Sequence, residues 1–257
     1  MIFQYKTTPI YYETFGKGSA IVLLHGFLES TTMWKSLIPQ LSKNNTVITI
    51  DLPGHGKSEV ISEIHTMELM AEVVAQILQQ LQISKASFIG HSMGGYVALA
   101  YTELFSEKVV QLILLNSTSI ADSEERKENR NRAIAIMDQN PKAFISMAIG
   151  NLFAETSRKK FSKEIEALKA EAYSFPVEGI KAAAKGMRDR KDRTAVFKNF
   201  ENEKHLILAE DDPILTIEEG RRLAENCNVS LKIIAGGHMS VIENQEAVLA
   251  FFQDVFN

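Results

Sequence analysis

The stretch Gly90-His91-Ser92-Met93-Gly94-Gly95 separates two segments of different texture. Ala86-Ser87-Phe88-Ile89 before it has the short, bulky, apolar character of a buried strand, and Tyr96-Val97-Ala98-Leu99-Ala100 after it reads as a helix. A chain that passes from strand to helix within so few residues must turn sharply, so positions flanking the turn must lack a bulky Cβ. Glycines at 90, 94 and 95 meet that demand, and Ser92 is held where its Oγ projects into a cleft. G-x-S-x-G is a short pattern, however, and a glycine-rich turn with an idle serine also satisfies it. The rest of the chain decides between the two.

Other apolar runs repeat the strand-then-helix rhythm. Residues 2–15 alternate around Thr8-Pro9 and read as a hairpin of two short strands. Ala20 to Leu24, Thr46 to Ile50 and Val109 to Leu115 are near-continuous apolar runs, as expected of strands buried on both faces. Between them, Met33 to Leu41 carries Trp34, Leu37, Ile38 and Leu41 at helical spacing, and Thr66 to Leu81 places Leu69, Val73, Ile77 and Leu81 on one stripe. From Ser117 to Arg190 no strand-like run appears, charges are dense, and Pro141 and Pro176 stand where new helices can start. Strand and helix then resume at His205 to Ala209, Ile217 to Cys227, Leu231 to Ala235 and Val241 to Phe256. This order predicts an α/β fold, a mostly parallel sheet flanked by helices, with three or four helices inserted after the sixth strand. The core domain is expected from residues 1–116 and 191–257, and the insertion from 117–190.

Length and charge narrow the function classes. At 257 residues and 45% hydrophobic content, the chain can bury a large core. A net charge of −4 leaves no electrostatic footprint for nucleic acid or an anionic membrane. Ala20 to Leu24 ends at His25, far short of the ~20 apolar residues that a spanning helix needs. The first residues show no secretory signal, and the single cysteine, Cys227, cannot pair within the chain, so a cytoplasmic location is expected. No G-x-G-x-x-G follows a strand and no HExxH or Cys/His cluster is present, so neither a nicotinamide cofactor nor a metal is expected. The expected partner is a small-molecule substrate, and the chain is expected to act as a monomer or homodimer without membrane insertion.

Four motifs, in one order, resemble the α/β-hydrolase superfamily, in its serine-nucleophile, esterase-like branch with a helical cap. They are His25-Gly26-Phe27 after a strand with Trp34 downstream, Asp51-Leu52-Pro53-Gly54-His55-Gly56-Lys57-Ser58, Gly90 to Gly95, and Gly236-Gly237-His238. The resemblance covers nearly the whole chain and implies specific roles. A serine hydroxyl attacks only when a base takes its proton, and histidine is suited to that at neutral pH. Of six histidines, His238 alone follows the last predicted strand in a glycine-rich loop, where the base belongs in the order Ser, acid, His. The acid falls after the strand at 205–209, at Asp212, with Asp211 as the alternative; Ala209 stands where the family usually has glycine. The backbone N–H groups of Phe27 and Met93 would form the oxyanion hole.

The resemblance therefore implies a cofactor-independent hydrolase of small carboxylic esters with Ser92, His238 and Asp212 as its catalytic set. Relatives with the same triad hydrolyse lactones or C–C bonds, act as lyases, perform perhydrolysis, or bind ligands as receptors. Serine at position 92 disfavours the dehalogenase and epoxide-hydrolase chemistries, which use a carboxylate nucleophile. In the insertion, Met137, Phe144, Met147 and Phe153 are candidates to line the substrate pocket. Arg126, Lys127, Arg130 and Arg132 read mainly as a solvated helix face, with steering of an anionic substrate as the alternative.

Overall fold

A computed structural model describes residues 1–256. Eight strands form one sheet in the order β1-β2-β4-β3-β5-β6-β7-β8. β1 (Ile2–Tyr5) and β2 (Thr8–Phe15) make the expected hairpin, and β2 runs antiparallel to β4 (Asn45–Ile50). The remaining strands, β3 (Ser19–Leu24), β5 (Ala86–His91), β6 (Val109–Leu115), β7 (Glu203–Ala209) and β8 (Ser230–Ile234), pair parallel with β4 and with one another.

The continuous apolar runs are explained by burial on both faces. Val22, Leu24, Phe88, Leu112, Leu114, Leu206 and Leu208 point to one layer. There they pack with α2 (Met67–Gln80), α3 (Met93–Leu104), α8 (Thr194–Asn199) and α9 (Ile217–Cys227). Their neighbours Ile21, Leu23, Ile89, Ile113, Leu115 and Ile207 point to the other, against Trp34, α1 (Ile38–Leu41) and α11 (Gln245–Phe256). Each residue of period two thus feeds a separate core.

Two expected helices are broken. The stretch 33–41 forms a 3-10 turn, Thr31–Trp34, and the single turn α1, because Pro39 has no N–H to donate to the Lys35 carbonyl and so stands in the first turn of a separate helix. Its apolar residues are nevertheless buried as their spacing implies. The stretch 241–256 divides at Asn244 into α10 (Ser240–Glu243) and α11, with the Asn244 amide donating to the Ala235 carbonyl at 3.0 Å. α8, invisible as a pattern, begins after Arg193, whose N–H donates to Ser119 at 2.8 Å and whose guanidinium binds Glu68 and Glu103.

The insertion contains α4 (Glu124–Gln139), α5 (Pro141–Gly150), α6 (Ser162–Ala172) and α7 (Val177–Arg188). Pro141 opens α5 and Pro176 is the N-cap of α7, as their positions imply. α7 is held on the core through a glycine face. A Cβ on Gly179 would lie 2.5 Å from the Gly54 Cα, and one on Gly186 would lie 1.8 Å from the His65 carbonyl oxygen. Residues seven apart share a helix face, so two glycines let the helix backbone touch two loops of the core. That contact sets the insertion over the C-terminal ends of the strands.

Candidate active site

The turn after β5 is as tight as its glycines demand. Ser92 has φ 49° and ψ −114°, a conformation that costs on the order of 1–3 kcal/mol and is held only by its surroundings. Its N–H donates to the Leu115 carbonyl at 3.0 Å, and its carbonyl accepts from Ser117 Oγ at 2.7 Å and from the Gly95 N–H at 2.9 Å. A Cβ on Gly90 would meet the Gly94 carbonyl oxygen at 2.4 Å, and one on Gly94 would meet the Leu24 carbonyl oxygen at 2.1 Å. The turn is therefore clamped between β3, β5 and β6, and the half-buried Ser92 projects above the sheet.

His238 reaches the same place from the loop after β8. Its Nδ1 lies 2.7 Å from Asp212 Oδ2, with both side chains buried. Asp211 and Glu210 point to solvent. Asp212 Oδ1 accepts the N–H groups of Ile214 at 2.7 Å and Leu215 at 3.1 Å, and Oδ2 also accepts from Asn116 Nδ2 at 2.9 Å. Burial alone would raise the Asp212 pKa, but His238, Asn116 and the Ile214 amide outweigh it and hold the carboxyl below its usual range. Asn116, at φ 45° just after β6, also accepts from Ser240 Oγ at 2.6 Å, and so ties the acid to the His238 loop. Only its position after a strand marks it in the sequence.

The loop after β3 brings Phe27 to the opposite wall. His25 Nε2 accepts the Leu52 N–H at 2.8 Å, which leaves Nδ1–H to donate to the Gly26 carbonyl at 2.7 Å. The Gly26 carbonyl and the Phe27 N–H belong to one planar peptide, so His25 fixes the direction of that N–H. Leu28 follows at φ 63°. Met93 is the first residue of α3, where helix N–H groups have no helical partner. Among the described residues, neither the Phe27 nor the Met93 N–H meets a chain acceptor. The 51–58 turn serves the same loop. Asp51 Oδ1 accepts from the Thr31 N–H at 2.7 Å and Oδ2 from the Lys57 N–H at 2.9 Å.

Behind these elements lies an ion pair between residues 62 apart, which no local sequence motif announces. Glu29 Oε2 stands 3.0 Å from His91 Nδ1 and accepts the Gly26 N–H at 2.8 Å, while His91 Nε2 stands 2.9 Å from the His238 carbonyl. A carbonyl and a carboxylate only accept, so both ring nitrogens carry protons and the ring is an imidazolium. Burial opposes that charge, yet Glu29 and the His238 carbonyl prevail and raise the His91 pKa above its ordinary value. Other histidines behave oppositely. Burial lowers His25 and His55, and brings His65 to about 4.

Ser92, His238, Phe27 and Glu29 line one cavity of about 110 Å³. Its wall is completed by Leu28, Tyr96, Ala148, Leu152 and Met187, and by Arg130 and Ile214. None of the four pocket candidates from the insertion is among them. Met137, Phe144 and Phe153 are buried in the cluster that holds α4 to α7 together, and Met147 is exposed. One residue along a helix turns the side chain by about 100°, which puts Ala148 on the cavity and Met147 in solvent. Among the basic residues of α4, Arg132 and Lys127 pair with Glu128 and Glu124 on the surface as expected, whereas Arg130 lines the cavity.

Comparison with known proteins identifies the fold. A family model for the alpha/beta hydrolase fold matches residues 19–245. The structure of a thermophilic esterase from Thermogutta terrifontis, with malate bound, superposes with a TM-score of 0.92 at 30% identity, covering 99% of this chain and 97% of that one. The enol-lactonase from Burkholderia xenovorans shares the fold, with a TM-score of 0.91 at 21% identity over 99% and 98% of the two chains. The pimeloyl-[acyl-carrier protein] methyl ester esterase of Aliivibrio fischeri is 34% identical over 119 residues, 46% of this chain and 44% of that one. The first curated relatives are matched over 29% to 44% of their own length. Among the described residues no helix is long and apolar enough to cross a membrane. With the family model spanning all but the ends of the sheet-and-helix core, and a 30% identical esterase aligned along almost its full length, this chain belongs to the alpha/beta hydrolase fold family.

Proposed function

We propose that this protein is a serine hydrolase of short carboxylic esters. The observation that carries the reading is Ser92, held in a strained turn and sharing a cavity with His238, whose Nδ1 is paired with Asp212 at 2.7 Å. Ser92 Oγ attacks the ester carbonyl while its proton passes to His238 Nε2. Asp212 keeps His238 in the tautomer with Nδ1 protonated and stabilises the imidazolium that forms. Negative charge gathers on the carbonyl oxygen, where the N–H groups of Phe27 and Met93 receive it; losing one such donor typically costs ~10²–10³ in rate. The imidazolium returns its proton to the leaving alkoxide, an acyl-enzyme remains on Ser92, and water activated by His238 releases the acid.

Residues 117–190 act as the lid over this cavity, with Ala148, Leu152 and Met187 as its contributions to the acyl wall. A cavity of about 110 Å³ suits short acyl chains. No cofactor takes part, and a single buried cysteine, Cys227, suits a cytoplasmic setting.

The test is initial-rate hydrolysis of p-nitrophenyl esters from acetyl to long acyl chains, with Ser92→Ala and His238→Ala alongside. The expected result is an optimum at short chains and loss of turnover in both variants, each still folded by circular dichroism. Full activity in Ser92→Ala would refute the mechanism. No activity on any ester, with turnover of a lactone, would move the assignment to lactone hydrolysis with the same residues.

A further inference from the structure

One residue of the cavity lining, Arg130, belongs to a buried charged network whose charges do not cancel, whereas the carboxylate of the lining, Glu29, is already paired with His91. Arg130 Nε is bonded to Asp122 Oδ2, and Arg190 Nη1 lies 2.6 Å from Asp122 Oδ1. Two guanidinium groups share one carboxylate, leaving one net positive charge. Asp122 is fully buried and its side of the network cannot move into solvent. Arg190 is equally fixed: Nη1 donates to the Met187 carbonyl at 2.9 Å, Nη2 donates to the Ile120 carbonyl at 2.9 Å, and the guanidinium lies 4.0 Å from the Tyr96 ring centroid.

Arg130 differs from Arg190 in what it has left to offer. Only its Nε is engaged, and among the described residues its two terminal amino groups meet no partner on the chain. It is one of the residues that line the cavity with Ser92 and His238, and its side chain retains 24% exposure. A surface arginine loses much conformational freedom when it grips a ligand. Here the buried Asp122 has already fixed the fork, so less freedom is lost for each bond formed. Planar, bidentate pairing with a carboxylate is the interaction that such a fork favours.

We infer that Arg130 is a specificity residue that binds a carboxylate at the far end of the substrate's acyl chain, so that the preferred substrates are monoesters of short dicarboxylic acids. The inference deepens the ester-hydrolase reading and rests on it for the position of the scissile bond. Ser92 holds the ester carbonyl, the apolar wall of Leu28, Leu152 and Met187 holds the methylenes, and Arg130 holds the second carboxylate. The small cavity limits the spacer to a few carbons.

The experiment compares two p-nitrophenyl esters of similar length, the monoanionic hydrogen glutarate and the neutral valerate, in the wild-type protein, Arg130→Gln and Arg130→Lys. The expected wild-type kcat/KM favours the glutarate, and the ratio of the two falls about 10- to 100-fold in Arg130→Gln, the range of a charge-assisted hydrogen bond. Arg130→Lys keeps the charge without the fork and falls between them. Binding of monomethyl glutarate, which keeps one carboxylate, and of neutral methyl valerate, measured by calorimetry, separates this inference from the esterase reading. If neither p-nitrophenyl ester is hydrolysed, selective monomethyl glutarate binding that is lost in Arg130→Gln still supports the Arg130 site. A wild-type preference for valerate, or a ratio and a monomethyl glutarate affinity unchanged in Arg130→Gln, overturns it. Should Arg130→Gln fail to fold, the same comparisons in Arg130→Lys decide.

Discussion

Replacing Glu29 by glutamine tests the buried pair behind the site, and its effect can be worked from the geometry. In the native protein one oxygen of Glu29 serves both the Gly26 N–H and the His91 ring, and His91 is 0% and Glu29 2% exposed. An amide of the same shape cannot serve both. If its oxygen faces them, the imidazolium is left without a countercharge and must lose its proton. If its NH₂ faces them, the Gly26 N–H is orphaned. An orphaned buried donor costs about 1–3 kcal/mol, and breaking a buried ion pair about 3–5 kcal/mol. The expected loss for Glu29→Gln is therefore about 3 kcal/mol near pH 6.

The pH dependence has a definite sign. His91 has a raised pKa, so its contribution is fully present below the unfolded value of about 6.5 and fades as pH rises through the folded one. Burial would raise the Glu29 pKa, but His91 and the Gly26 amide lower it, so its contribution is present above about 4.3 and is lost only as pH falls through the folded value. The difference in unfolding free energy between native and variant should thus be largest at about pH 6 and shrink as pH rises through the folded His91 pKa. Urea unfolding at about pH 6 and at successively higher pH measures it directly. A difference below about 0.5 kcal/mol at pH 6, or one that grows toward alkaline pH, would refute the doubly protonated His91.

Other perturbations probe the turn and the acid. Gly94→Ala drives a Cβ to 2.1 Å from the Leu24 carbonyl oxygen, so thermal unfolding should show a loss of at least about 1–3 kcal/mol, far beyond an ordinary surface Gly→Ala change. Asn116→Gly suits the φ of 45° and isolates the lost side chain. Removing a donor to the buried Asp212 carboxylate should cost about 1.5–3 kcal/mol near neutral pH. Asp212, with its lowered pKa, contributes stability above about pH 3.9 that disappears as pH falls through its folded value, so the acid edge of the Tm profile should move to higher pH in Asn116→Gly. An acid edge that stays in place would remove Asn116 from the support of Asp212.

The local elements were legible because their physics is local. Near-continuous apolar runs of five to seven residues such as Val109 to Leu115, repeated between amphipathic helices, suit strands of a parallel sheet covered on both faces. Glycines at 90 and 94 announce a turn that no Cβ can enter. The same reading stretched a helix across Pro39 and joined two helices across Asn244, where a single residue's backbone preference overrides an apolar stripe. Trp34, Leu37 and Leu41 are nevertheless buried, because burial follows the spacing of side chains even when the helix between them is interrupted.

By itself the sequence determined the order of strands and helices, the sharp turn that raises Ser92, and the loops that carry Asp212 and His238. Only the tertiary structure decided what those loops meet. Glu29 and His91 are 62 residues apart, Asn116 and Asp212 are 96 apart, and no local pattern encodes their contact. The insertion depended on tertiary structure most of all. Met137, Phe144 and Phe153 look like pocket residues but are consumed in holding α4 to α7 together, while Arg130, which looks solvated, lines the cavity. A helix carries several apolar and polar directions at once, and which one faces the cavity is set by how α7 seats its glycines on the core loops, a contact between distant segments.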